Sequence, residues 1–123
     1  MKGEIVLLLI FIMNIITLLI FITIGVVSLK YHSKFPDTSI GYHFSWAVKD
    51  EEIWILANKA VGILCIVPPS FFFGMFAVLF YVMYIDIKLY VYIYILEIII
   101  CTFLVLFLPK NMLSKRYPDY FEN

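Results

Sequence analysis

The sequence predicts an all-α membrane protein: three transmembrane helices, with a cytoplasmic loop and an interfacial helix between the first and second. Two observations predict it. Of 123 residues, 64% are hydrophobic and only 15% charged, and the mean hydropathy is +1.02. A soluble domain is typically about half apolar and about a quarter charged. The charges are also gathered into short intervals, which leaves long uncharged runs between them. Such a chain reads as one small polytopic membrane domain over residues 1–123, whose first partner is the lipid bilayer. Its net charge is zero, so no basic field draws nucleic acid.

The first span is placed at residues 5–29, which contain no charge. A helix needs about 20 apolar residues to cross hydrocarbon roughly 30 Å thick. Lys2 precedes this run, as in a signal peptide, but the run exceeds the usual h-region of about 7–15 residues and no small-residue cleavage site follows. The second span is placed at residues 60–84, in an interval whose one charge is Lys59 near its start. Pro68 and Pro69 remove two backbone donors there, which predicts a kink near Val67, with Ser70 placed to help satisfy the freed carbonyls. The third span, residues 89–108, holds one charge, Glu97. Cys65 and Cys101 fall inside spans, where small buried apolar roles are the expectation.

Counting cations sets the expected orientation. Lys2 and Lys88 flank one side; Lys30, Lys34, Lys49, Lys59, Lys110, Lys115 and Arg116 flank the other. Short loops rich in Lys and Arg stay in the cytoplasm. The N-terminus is therefore expected outside the cell membrane, with the loop 30–59 and the tail 109–123 in the cytoplasm. Tyr81, Tyr84, Tyr90, Tyr92 and Tyr94 then gather near the outer hairpin, where an aromatic belt is expected.

The loop is where the sequence departs from hydrocarbon-soluble filler. Pro36, Asp37, Ser39 and Gly41 are turn formers. Asp50, Glu51 and Glu52 then suit a helix N-terminus, with Asp50 as the cap. Trp54, Asn58 and Gly62 follow at i, i+4, i+8, on one face. Trp54 suits the headgroup boundary and Lys59 can snorkel back to water, so this stretch is expected to run along the interface before turning inward.

Taken together, Gly41 and Tyr42, then Glu52, Trp54, Ala57, Asn58 and Gly62, resemble the loop motif of the SdpI/YhfL family of small bacterial membrane proteins. That motif reads approximately G-Y-R, then E-x-W, then A-N and G. His43 stands at the arginine position, exchanging a permanent, bidentate charge for a shorter titratable ring. The resemblance implies a non-enzymatic role. Family members give immunity to a membrane-active peptide toxin or signal through the cytoplasmic surface. A peptide toxin or a cytoplasmic regulator is then the expected partner, and Gly41, Tyr42, His43, Glu52, Trp54, Asn58 and Gly62 the expected binding or signalling loop.

A second feature lies within the spans. Asn14 and Glu97 are polar groups where such groups are costly and often functional. Each is nine residues from the outer end of its helix, Ile5 and Lys88 respectively, so the two are expected at one depth and hydrogen-bonded across the first and third helices. Gly74 is expected to allow close approach there. In such surroundings Glu97 is expected to carry its proton. This pair supplies the alternative function, a small transporter or an accessory subunit of a membrane complex. No cofactor motif is present. His32 and His43 lack the convergent partners a zinc site needs, and Ser45, His43 and Asp50 lack the strained turn and oxyanion donors of a nucleophilic site.

Overall fold

The computed structural model describes residues 2–82 and 86–121, and among these every regular element is a helix. The order is α1 (Lys2–Lys30), α2 (Glu51–Val82), α3 (Ile87–Arg116) and α4 (Pro118–Phe121). α1, α2 and α3 are each long and apolar enough to cross a membrane. In their most apolar stretches only 11%, 22% and 11% of residues are buried, so the greater part of each helix faces outward. Leu8, Leu19, Val67, Phe71, Ile99 and Phe103 are each more than half exposed. Continuous apolar surface of that extent marks a hydrocarbon-facing wall rather than a wetted one.

Two element boundaries differ from expectation. No separate interfacial helix precedes the second span, because residues 51–59 are the opening turns of α2 itself. Asp50 starts the helix, and nothing from Glu51 to Val67 breaks it. Pro68 and Pro69 also lie inside α2. The third helix runs beyond 108, through Pro109 to Arg116, so most of the expected tail is helical. Lys115 and Arg116 in its last turn suit the negative end of the helix dipole.

α1 and α2 run antiparallel and cross at two glycines. A Cβ on Gly25 would sit 2.9 Å from the Gly62 carbonyl oxygen, and a Cβ on Gly62 would sit 3.0 Å from that of Gly25. Glycine at both positions is what lets the backbones approach this closely. Gly74 does not share that role: a Cβ there would meet nothing within 4 Å. The expectation attached to Gly74 therefore belongs to Gly62 and its partner Gly25.

Two clusters hold the helices together. At the hairpin end Ile10, Phe76 and Tyr90 are buried, with Phe80 packed on them. The rings of Phe76 and Phe80 lie 5.6 and 5.3 Å from that of Tyr90. This corrects the aromatic belt at two positions. Tyr90 is 2% exposed and Tyr94 bonds inward to Thr17, while Tyr92 does face outward. Tyr84 and the side chain of Tyr81 lie outside the described residues. The second cluster, at the loop end, joins Tyr42, Ala47, Ala57, Val61, Cys65 and Leu113.

Gly62→Leu is expected to lower the stability of the detergent-solubilised protein by about 1–3 kcal/mol through overpacking. Gly74→Ala is expected to leave it unchanged or slightly raised. Thermal unfolding of the two variants side by side checks the pair.

Candidate functional site

The loop between α1 and α2 is an ordered unit, and its order begins with Asp50. The Asp50 side chain accepts from the Ile53 amide at 3.2 Å, and its carbonyl accepts from the Trp54 amide at 2.9 Å. The α2 start is capped as the sequence predicts. The loop before it has its own turns. The Ser33 amide donates to the Ile40 carbonyl at 2.8 Å. The Asp37 carboxylate accepts from the Ser39 amide and hydroxyl at 3.0 and 2.8 Å, and these bonds hold its pKa below the ordinary value.

Asn58 ties the loop to α2. Its Nδ2 donates to the Trp54 carbonyl at 2.8 Å, one turn back, and its Oδ1 accepts from the Tyr42 amide at 2.9 Å. Asn58 is fully buried, so each of these bonds satisfies a group that water cannot reach. Gly41 makes the geometry possible. Its φ of +135° lies where side chains are rarely tolerated, and a Cβ would sit 2.5 Å from Asn58 Oδ1 and 2.9 Å from the Trp54 ring. Trp54 is fully buried, and its Nε1 donates to the Ser33 carbonyl at 2.8 Å. His32 packs edge-on against that indole and bonds the Ser28 carbonyl.

Tyr42 carries the loop across to α3. Pro109 has no amide proton, so the Val105 carbonyl four residues earlier loses its helical donor. The Tyr42 hydroxyl donates into that gap, lying 3.2 Å from the Val105 oxygen and 3.0 Å from that of Leu106. Burial, with Cys65 beside it, pushes the Tyr42 phenol up to about 12. The C-terminal residues close the same surface. Tyr120 donates to the Trp46 carbonyl and Tyr117 to the Glu52 carboxylate, both at 2.6 Å. The Glu52 bond raises the Tyr117 pKa above its ordinary value.

Of the seven loop residues singled out from sequence, six are accounted for by this packing. Gly41, Tyr42, Trp54 and Asn58 form one hydrogen-bonded knot. Gly62 serves the α1–α2 crossing, and Glu52 is exposed but holds Tyr117. His43 is exposed at the rim beside Phe44, whose ring lies 4.7 Å from that of Tyr42. Ser45 is exposed, and Asp50 is engaged as the α2 cap. Among the described residues no group of three or more His, Cys, Asp or Glu could hold a metal ion. Sequence reasoning missed Gly25, Ser33, Tyr117, Tyr120 and the bond into α3. Pro109 was the available signal for the last, since a proline inside a helix announces a carbonyl in need of a donor.

The intramembrane pair is arranged differently from expectation. Asn14 is fully buried, but its Nδ2 donates to the Phe73 carbonyl of α2 at 3.1 Å. A side-chain bond between α1 and α3 joins Thr17 Oγ1 and Tyr94 Oη at 2.6 Å. Glu97, 8% exposed, lies one turn beyond Tyr94 on α3. Both Asn14 Oδ1 and Glu97 Oε2 are buried without a hydrogen-bond partner.

Fold and loop together define a small multi-pass protein of three apolar helices with an ordered cap at one end. No protein-family model, no curated protein and no solved structure matches the chain.

Asn58→Leu is expected to cost about 1–3 kcal/mol, because it strands the buried Tyr42 amide. The Tyr42 phenol titrates at 10.0 when unfolded and about 12 when folded, so its contribution is complete below pH 10 and lost as the pH rises through about 12. Tyrosinate absorbance and tryptophan fluorescence during alkaline titration check this. Tyr42→Phe is expected to abolish that part of the alkaline loss and to lower stability at neutral pH.

Proposed function

We propose that this chain is a non-enzymatic bacterial membrane protein of the SdpI-like kind, acting through the surface of its loop. Its role is immunity to a membrane-active peptide toxin, or signalling to a cytoplasmic regulator. In this reading the N-terminus is outside the cell membrane, and the loop and C-terminus are in the cytoplasm, as the seven-to-two division of cations favours. One observation carries the reading: the residues of the resemblance converge. Gly41, Tyr42, Trp54 and Asn58 build one knot, and that knot presents His43 and Phe44 at its exposed rim. The motif residues inside the knot shape the surface, and the rim residues make the contact.

The second reading, a small transporter or an accessory subunit, is favoured by a separate observation: Asn14 and Glu97 each leave a buried oxygen unpaired within the spans. Intramembrane polar groups of this kind mark pathways in other membrane proteins.

Survival assays separate the readings. The chain is expressed in cells sensitive to membrane-active peptides, and survival is scored under challenge by a panel of such peptides. The loop reading expects a His43→Ala/Phe44→Ala double variant to lose protection at an unchanged level in the membrane, with Glu97→Gln retaining it. Loss with Glu97→Gln alone transfers the function to the intramembrane pair. Absence of protection by the unaltered chain against every peptide removes the immunity role. Trp54→Ala is the wrong probe, because removing a fully buried indole disrupts the knot whatever its surface does.

A further inference from the structure

An apolar groove between α1 and α3 carries an inference that depends on neither functional reading. Its volume is about 250 Å³. Ile20 and Ile24 of α1 form one wall, Val105 and Leu106 of α3 the other, and Cys65 of α2 lies at the floor. Cys65 is 1% exposed, whereas Ile20, Ile24 and Leu106 are each more than a third exposed. The groove is therefore closed beneath and opens sideways, onto the same outward apolar surface as the rest of the hydrocarbon-facing wall. Earlier along both helices the Thr17–Tyr94 bond bridges α1 and α3. The groove runs from that bridge toward the loop end.

Polar groups stand where it meets the loop end. Lys110 follows Leu106 by four residues and Tyr31 follows Ile24 by seven, so each continues its own wall. The Tyr31 amide still bonds the Val27 carbonyl, at 2.9 Å, which carries the helical path that far. Both side chains are exposed. The segments that make the walls are basic. Residues 5–36 contain Lys30 and Lys34 and no acid, and residues 98–118 contain Lys110, Lys115 and Arg116 and no acid. The three consecutive acids of the loop end, Asp50, Glu51 and Glu52, line a separate concavity with Ile55 and Leu56. The dimensions match one leaflet. Thr17 and Tyr31 are 14 residues apart, about 21 Å along a helix. Half a bilayer, headgroups included, is about 20–22 Å.

We propose that this groove is a binding site for an anionic phospholipid. One acyl chain lies along it, and the phosphate meets the Lys110 ammonium while Tyr31 sits at the headgroup boundary. Charge decides the occupant. A neutral lipid gains the apolar walls alone, whereas a lipid of net negative charge also gains the basic mouth. A second copy of the chain seated face to face on the groove sets lysine against lysine. The long lysine side chain keeps its ammonium in the headgroup layer while its stem covers apolar surface below.

Native mass spectrometry of the whole chain, released from micelles with phosphatidylglycerol or phosphatidylcholine added, tests this. The unaltered protein is expected to retain one phosphatidylglycerol in preference to phosphatidylcholine. Lys110→Gln is expected to lower that preference about fivefold. Ile24→Trp, which fills the groove, is expected to remove the bound lipid. Equal retention of the two lipids by the unaltered chain overturns the proposal, and that measurement stands even if a variant does not fold. A preference for phosphatidylglycerol untouched by both Lys110→Gln and Ile24→Trp places the lipid elsewhere and overturns the site. A lipid-free dimer that Ile24→Trp dissociates gives the groove to a second copy instead.

Discussion

Pro109 leaves the Val105 carbonyl without a helical donor, and the Tyr42 hydroxyl supplies one from the far side of the sequence. Much of the loop end depends on that bond. Its cause is the bilayer, where a backbone oxygen without a donor costs several kcal/mol and no water is at hand. Tyr42 can reach α3 only because its own amide is held by Asn58, and Asn58 can hold it only because Gly41 adds no Cβ. Trp54 then fills the space beneath, anchored to Ser33. What joins the loop to the helices is a short series of hydrogen bonds, each answering a polar group that would otherwise be buried alone.

The same accounting succeeds at one end of the molecule and leaves a remainder at the middle. Asn58 and Asn14 are both fully buried asparagines. Asn58 uses its carbonyl and its amine, one on the loop and one on its own helix. Asn14 uses only its amine. A buried amide with one oxygen unspent is a costly arrangement.

The helices were readable from the chain because hydrocarbon imposes a long, uncharged run that few other environments require. Residues 5–29 and 89–108 fall within α1 and α3, and Asp50 caps α2 as its neighbours suggest. Contacts between helices were less legible. Gly74 and Gly62 are the same residue type in the same helix, yet only Gly62 meets another backbone, because rotation about the helix axis is set by partners elsewhere in the chain. Tyr90 and Tyr94 read as belt residues for the same reason: composition says an aromatic lies near an interface, not which way it points. At the site, the shared face of Trp54, Asn58 and Gly62 followed from spacing alone. The bond from Tyr42 to α3 joins positions more than sixty residues apart and has no local signature beyond Pro109.

The tail's two tyrosines also bear on the order in which the molecule is made. Tyr117 and Tyr120 hold Glu52 and Trp46, and Tyr42 holds the last turns of α3. A ribosome that has delivered α1, the loop and α2 to the membrane has therefore delivered a loop with three of its anchors still untranslated. The segment that comes second in the chain is completed last. During that interval the aromatic residues between Tyr42 and Trp54 have no α3 to lie against.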